Sequence, residues 1–543
     1  KLSIFAAVYN WIAALWHRSH IGHRSEYSVE RLLAFRDNYQ RTSLLRAIAV
    51  CIISPIPAVV VTLLIDSIPL KSPSEGWQAN YAFWIRYFLA TATVTVGAVA
   101  QVQEQILPGT ISNCGAIVIA LGTAATDISV AMFVAAMWAF PIPFGYIIMV
   151  GPYMVLGWVF TLLVIGRRLL VESPVLRQQL QAQAIILFAK GAVAMAYPAF
   201  TAVCYHLSGT QPTIFIIVLP LFKKVTKIIL AMAAEGLHEF VGPTVVFSVD
   251  VFNVFYVAIC MQMSKSIATT VFIIAFDSFH VLVALRDIFK QAKAVKKTRM
   301  KRRSSDKSYI EDLPGMVRGV FEKSCDDSWH GCRIRVFAPF PLPLSDESTA
   351  FMNTFRTTSH NMVRNTALPT LPSSATVSPK QAQIFQAGQD FERYRTTTLT
   401  PSLSANCLRT RTSQTEMEQA VWDALQALFH SEYLLLTEYI ECILPMLYAV
   451  YLFILFNLPV AAYYPQTAAS TPEKLDQDVI NILLFGTVEI AGFAGLLVLL
   501  TKQFGVCPLY QLAFVFESQW RLLQGHLFVW TVFILQMPLM HYG

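Results

Sequence analysis

Charge is scarce in this chain. Asp, Glu, Lys and Arg make up 14% of its 543 residues, where soluble domains carry about 25%, and the mean hydropathy is +0.51. That shortage excludes a chain dissolved throughout in water. Polar–apolar alternation is missing too, which argues against the strands of a transmembrane β-barrel. There is no Walker loop, Rossmann fingerprint, zincin motif or nucleophile elbow, so the common phosphate-binding, dinucleotide, zinc-peptidase and serine-hydrolase chemistries lose their sequence support. Neither an enzyme nor a cofactor is expected. No Asn-x-Ser/Thr acceptor occurs, and no internal repeat of the inverted-transporter kind stands out. The short apolar start runs into Arg and His and does not read as a signal peptide.

Long apolar runs are what the chain has instead. About 20 consecutive apolar residues can span a bilayer, and ten or eleven runs qualify. They are Ala47–Asp66, Tyr81–Val102, Cys114–Phe140, Phe144–Gly166, Gln183–His206, Thr213–Met232, Pro243–Gln262, Ile267–Leu285, Tyr439–Ala461, Val479–Leu500 and Leu522–Met540. The sixth is the weakest, since Lys223, Lys224 and Lys227 interrupt it. The expected fold class is an all-α integral membrane protein, a polytopic helical bundle with a long disordered cytosolic loop. Its regions are an N-terminal cytosolic arm (1–46), an eight-helix membrane region (47–286), the loop (287–412) and a C-terminal part (413–543) with three more spans.

Cytosolic loops carry an excess of Lys and Arg. The arginines of the N-terminal arm, Arg167–Arg168 and the basic run after Arg286 all fall on one side if the N-terminus is cytosolic and the sixth run spans. All nine cysteines then lie in helices or cytosolic loops, so no disulfide framework is expected. The net charge of +7 sits at helix ends and in loops, which points to topology and not to nucleic acid.

The loop opens with "KQAKAVKKTRMKRR", eight basic residues without an acid: Lys290, Lys293, Lys296, Lys297, Arg299, Lys301, Arg302 and Arg303. Beside a membrane helix such a cluster attracts anionic lipid by about 1 kcal/mol per residue. Phosphorylation at Ser304 or Ser305 would weaken that attraction. The rest of the loop turns to Ser, Thr and Pro ("TALPTLPSSATVSPK"), a composition that does not build a core. From Ser413 the pattern changes: Ser413 and Glu416 match a capping box, and Met417, Val421, Ala424 and Leu428 fall on one face of the predicted helix. Two other groups, His17/His20/His23 and Cys325/His330/Cys332, lack the partners of a metal site.

The charges inside the apolar runs carry the functional question. "VVFSVDVFNVFYVAICMQ" places Asp250 among ten Val, Ile and Phe residues. Those contribute about −0.3 to −0.6 kcal/mol each, against about +3 for a central Asp. The run inserts, but its carboxylate must face protein or water. Asp250 and Asn253 share a helical face, as do Asp277 and His280 in the next run, and only "MSKS" joins the two. A rise of about 1.5 Å per residue puts Asp250 about 11 Å from Pro243. At that depth an antiparallel hairpin pairs Asp250 with His280 and Asn253 with Asp277. Asp127, Glu489 and Lys190 lie near the middles of three other runs; if these converge, Lys190 is the counter-ion of Asp127 or Glu489. Such groups mark ion paths and proton relays, or serve as polar glue between helices at about 0.6–2 kcal/mol per bond.

The stretch "VFSVDVFNVFYVAICMQMSKSIATTVFIIAFDSFHVLVALRDI", with "CPLYQLAFVFESQWRLL" and "LQMPLMHYG", resembles a large group of oomycete multi-pass membrane proteins. The likeness runs from about residue 80 to the end, outside the loop. It implies a water-mould source, a chain that continues past Gly543 and an Asp250/Asp277 hairpin shared by the group, but no substrate or reaction. The expectation is therefore a transporter- or channel-like protein in which Asp250, Asn253, Asp277 and His280, with Asp127, Lys190 and Glu489, handle a proton, a cation or a small solute. The alternative is a membrane scaffold or receptor whose buried charges lock the bundle and whose basic loop engages lipid or cytosolic partners.

Overall fold

The computed structural model describes residues 27–206, 211–263, 281–286, 288–290, 309–322, 334–353, 408–468 and 470–543. Numbering only the longer helices, the order is α1 (Val29–Arg41), α2 (Leu44–Ile53), α3 (Ile56–Asp66), α4 (Tyr81–Gln105), α5 (Asn113–Met137), α6 (Gly145–Ile165) and α7 (Pro174–His206). There follow α8 (Gln211–Ala233), α9 (Val241–Met263), α10 (Tyr309–Glu322), α11 (Leu408–Phe456), α12 (Pro472–Phe504), α13 (Leu509–Ser518) and α14 (Trp520–Gln536). All regular structure among the described residues is helical.

Among the described residues, seven helical stretches are long and apolar enough to cross a membrane: Leu44–Asp66, Tyr81–Gln105, Asn113–Met137, Gly145–Ile165, Leu237–Ala258, Met417–Phe456 and Pro472–Phe504. This suits a polytopic membrane protein, with fewer clear spans than the ten or eleven expected. The fifth and sixth runs do form helices α7 and α8, but Gln181, Gln183 and Lys190 dilute the first and three lysines the second. The last run shortens to α14, 17 residues long. Ile267–Leu285 lies mostly outside the described residues.

The first span is broken between α2 and α3 at Ser54–Pro55. Proline has no amide to donate and its ring crowds the carbonyl four residues back; the Ser54 hydroxyl donates to the Val50 carbonyl at 2.6 Å. Helix α11 is one continuous element of 49 residues. Ser413 and Glu416 therefore sit inside a helix begun at Leu408, and the capping box does not start it. The apolar face is where it was expected: Met417, Val421, Ala424 and Leu428 are buried.

The helices form an apolar bundle and a smaller lobe around α1 and α10. Helix α9 is the central post of the bundle, since the apolar window within Leu237–Ala258 is 100% buried, against 17% for the window in α12. Its Val and Phe residues pack against Leu436–Leu455 of α11 and Leu523–Leu535 of α14. Peripheral helices turn Leu64, Leu163, Ile480 and Leu484 outward, as lipid-facing surfaces do. Helices α4 and α14 meet backbone to backbone: a Cβ on Gly97 would lie 2.7 Å from the Gly525 carbonyl oxygen, and one on Gly525 2.6 Å from that of Gly97.

At the other end, two stretches of the 287–412 region, expected to be disordered, are folded. Helix α10 and residues 334–353 pack with α1, the start of α11 and the end of α12. Val29 and Glu30 donate backbone amides to the carbonyls of Arg335 and Val336 at 3.0 and 2.9 Å. The amide of Ser345 donates to Asp37 at 2.8 Å. Composition hides this because the segment makes no core of its own; it borrows the apolar face of α1. Beneath it, fully buried Arg31 pairs with Glu432 at 2.7 Å and Glu239 at 3.7 Å.

Candidate functional site

Asp250 is fully buried on α9, so the expectation that it faces protein holds in the geometry. Among the described residues its charged partners come from α8. Lys227 Nζ lies 2.8 Å from Oδ2 and Lys223 Nζ 3.7 Å from Oδ1. These lysines are four residues apart and share one face of α8. The interruption of the sixth run is thus its inward face. Asp277 and His280 lie outside the described residues.

Helix α11 also contributes to the site. Thr437 donates its hydroxyl to Asp250 Oδ2 at 3.3 Å, and Lys223 donates to Glu441 Oε1 at 2.5 Å. Lys227 also lies 5.5 Å from the centre of the Tyr433 ring, within reach of a cation–π contact. Glu438 and Glu441, three residues apart, point to the same region. Glu489 of α12 joins them, so that a carboxylate oxygen from each of the three lies within 4.8 Å of the others. All three side chains are largely buried, at 6%, 6% and 9% exposure. Gly486, one turn before Glu489, lets α12 approach: a Cβ there would meet Met446 Cε at 3.0 Å.

The other expected residues scatter. Asn253 is buried one turn beyond Asp250 on α9. Lys190 donates to Gln101 Oε1 of α4 at 2.6 Å, and is the counter-ion of neither Asp127 nor Glu489. Asp127 accepts from the Tyr87 hydroxyl at 2.7 Å, away from the α8–α9–α11–α12 cluster. Of the basic run, Lys290 is exposed; Lys293, Lys296, Lys297, Arg299, Lys301, Arg302, Arg303, Ser304 and Ser305 lie outside the described residues.

Sequence reasoning left out Lys223 and Lys227, which read as an interruption of the sixth run, and Glu438 and Glu441, which read as the start of the ninth. The available signal was spacing: "KKVTK" places two lysines on one face, and "EYIE" does the same for two glutamates. It also missed a second polar centre. Asp66, at the end of α3 and fully buried, forms an ion pair with Arg86 of α4. It accepts from the hydroxyls of Tyr464 and Tyr451 at 2.7 and 2.9 Å and from the Gln536 amide at 2.7 Å. Arg86 also donates to Gln536 Oε1 at 3.0 Å. Four side chains from separate parts of the chain thus close around one carboxylate.

The two centres differ in chemistry. The Asp66 centre pairs one acid with one base and supplies neutral donors for the remaining lone pairs. The Asp250 centre brings three glutamates together beside two lysines. Carboxylates this close do not all ionise without a cation among them, so the arrangement can hold and exchange protons or cations. No protein family, curated protein or solved structure matches this chain.

Proposed function

We propose that this chain is a polytopic membrane transporter that moves a cation or small solute, coupled to protonation of the carboxylates between α8, α9, α11 and α12. The observation that carries the reading is the meeting of Glu438, Glu441 and Glu489 within 4.8 Å where Lys223 already bridges Glu441 to Asp250. Like charges at that spacing favour proton uptake by one of them. Protonation of Glu441 weakens its hold on Lys223 and leaves the ammonium to Asp250. Lys223 is then a movable internal cation, and an incoming cation competes with it for the same oxygens. Apolar helices on every side exclude water and strengthen each of these interactions.

The eight basic residues of the run from Lys290 favour anionic lipid as a partner. The folded lobe of α10 and residues 334–353 also favours a second reading, a membrane scaffold or receptor whose lobe binds cytosolic partners.

Purified protein in liposomes on a solid-supported membrane, challenged with pH and cation jumps, decides between them. Transport predicts transient currents in the wild type and their loss in Glu441→Gln and Asp250→Asn variants that remain folded. Silent wild-type protein across the cations tested, with those variants changed only in thermal stability, overturns the transport reading.

A further inference from the structure

We infer that Asp127 of α5 is a second, separate proton-binding site, reached from an aromatic cavity at the end of the bundle that carries the C-terminal turn. The inference does not rest on the transport reading, since a carboxyl can take up a proton whether or not a solute moves.

Asp127 is 1% exposed and is the one charged residue of α5. Its Oδ2 accepts from Tyr87, but its Oδ1 has no hydrogen-bond partner among the described residues. One turn earlier on the same face, the hydroxyl of fully buried Thr123 lacks a partner too. Threonines inside a helix normally donate back to the carbonyl four residues earlier, as Thr126 and Thr161 do here at 2.8 and 2.7 Å. Two orphaned oxygens on one buried face are an incomplete network, and a lone buried acceptor carries a desolvation cost.

The groups around Asp127 are phenols. Tyr87 comes from α4, Tyr153 from α6 and Tyr542 from the C-terminal turn; Tyr153 lies 3.4 Å from Thr95 of α4. No Lys or Arg forms an ion pair with Asp127 among the described residues. Arg86, next to Tyr87 in sequence, engages Asp66, Tyr464 and Gln536 instead. Lys190 engages Gln101.

A buried acid without a cation is satisfied by a proton or by a metal ion. Metal ions such as Ca²⁺ or Mg²⁺ need about six oxygen ligands, and the site offers a carboxylate, a threonine hydroxyl and phenols. A proton needs one acceptor. It turns a buried, unpaired negative charge into a neutral carboxyl, which removes the largest part of the desolvation cost. Tyr87 connects the acid to the outside, because its ring lines a small cavity with Phe83, Trp84, Phe140, His541 and Tyr542 while its hydroxyl touches Asp127.

Infrared difference spectroscopy on the purified protein, titrated with pH, tests this. The expected result is a protonated-carboxyl carbonyl band that disappears on alkalinisation and is missing from Asp127→Asn. In Tyr87→Phe the same band persists but shifts in frequency, because one hydrogen bond to the carboxyl is lost; this variant serves if Asp127→Asn does not fold. An unchanged band in both variants overturns the inference. So does a wild-type melting temperature that rises with added Na⁺ or K⁺ at constant ionic strength when Asp127→Asn no longer responds, since that marks a cation site.

Discussion

Asp66 and Asp250 are both fully buried aspartates in apolar helices, yet their surroundings differ in kind. Around Asp66, a guanidinium, two phenols and an amide converge on the two oxygens, and the helices that supply them are tied at one point. Around Asp250, two lysines divide their contacts between Asp250 and Glu441, and two further glutamates crowd the same space. A carboxylate whose lone pairs are met by a single cation and neutral donors is a fastener. An array of acids sharing mobile cations has several nearly equivalent arrangements, and that is what proton or cation exchange requires. Burial alone does not separate the two centres; the count of acids against bases around each does, and the transport proposal rests on that difference.

The largest effect should come from breaking the fastener. Arg86→Leu leaves Asp66 buried without its cation, and removing one partner of a buried pair costs about 3–5 kcal/mol. Thermal unfolding in detergent should show a large loss, with any transport activity falling only with the folded fraction. Next comes Gly525→Ala, which forces α14 away from the Gly97 carbonyl and pulls Gln536 from the Asp66 centre. Overpacking of this kind costs about 1–3 kcal/mol, and Gly97→Ala should match it because the contact is reciprocal.

The lobe around α1 and α10 supplies a third point of comparison, at lower cost. Burial alone would raise the Asp37 carboxyl, but the Ser345 amide, the Ser348 and Ser345 hydroxyls and Arg36 outweigh it and hold the group below its ordinary value of 3.8. A lowered folded-state value means that the carboxylate stabilises the docked lobe above pH 3.8. The contribution is lost as pH falls through the still lower folded-state value. The protection of residues 334–353 against hydrogen exchange, relative to an unfolded chain at the same pH, should thus fall below about pH 4. Asp37→Asn should show the lower protection at neutral pH and little further acid response, a loss of about 1.5 kcal/mol for a hydrogen bond to a charged group.

The smallest effect on stability should fall on the Asp250 centre. Glu489→Gln relieves like-charge crowding, so melting should change by less than about 1 kcal/mol in either direction, while pH-driven currents are lost. A large loss of stability there would make the two centres alike and remove the contrast.

Much of the bundle was legible residue by residue. Tyr81–Gln105, Asn113–Met137 and Gly145–Ile165 stand out from hydropathy because crossing a bilayer depends mainly on local composition and length. Asp250 and Glu489 were legible as candidate site residues because a charge inside an apolar run is costly wherever the helix packs. Lys223 and Lys227 were not, because the same lysines that weaken α8 as a lone span become internal once α8 rests on α9. Residues 334–353 read as loop because their apolar side chains are too few for a core, though sufficient to cover α1.

By itself, the sequence determined that the chain is helical, that most of it prefers an apolar environment and which acids are out of place there, since each of these follows from side-chain transfer free energy along a short stretch. Tertiary structure alone decided the partners: that Asp250 meets Lys227 and Lys223 from α8, that Glu489 joins Glu438 and Glu441, that Lys190 turns to Gln101 and that Asp66 is closed by Arg86. Partnership depends on which helix faces meet across hundreds of residues of chain. Local hydropathy is nearly blind to that choice, and only the packing of the whole bundle selects it.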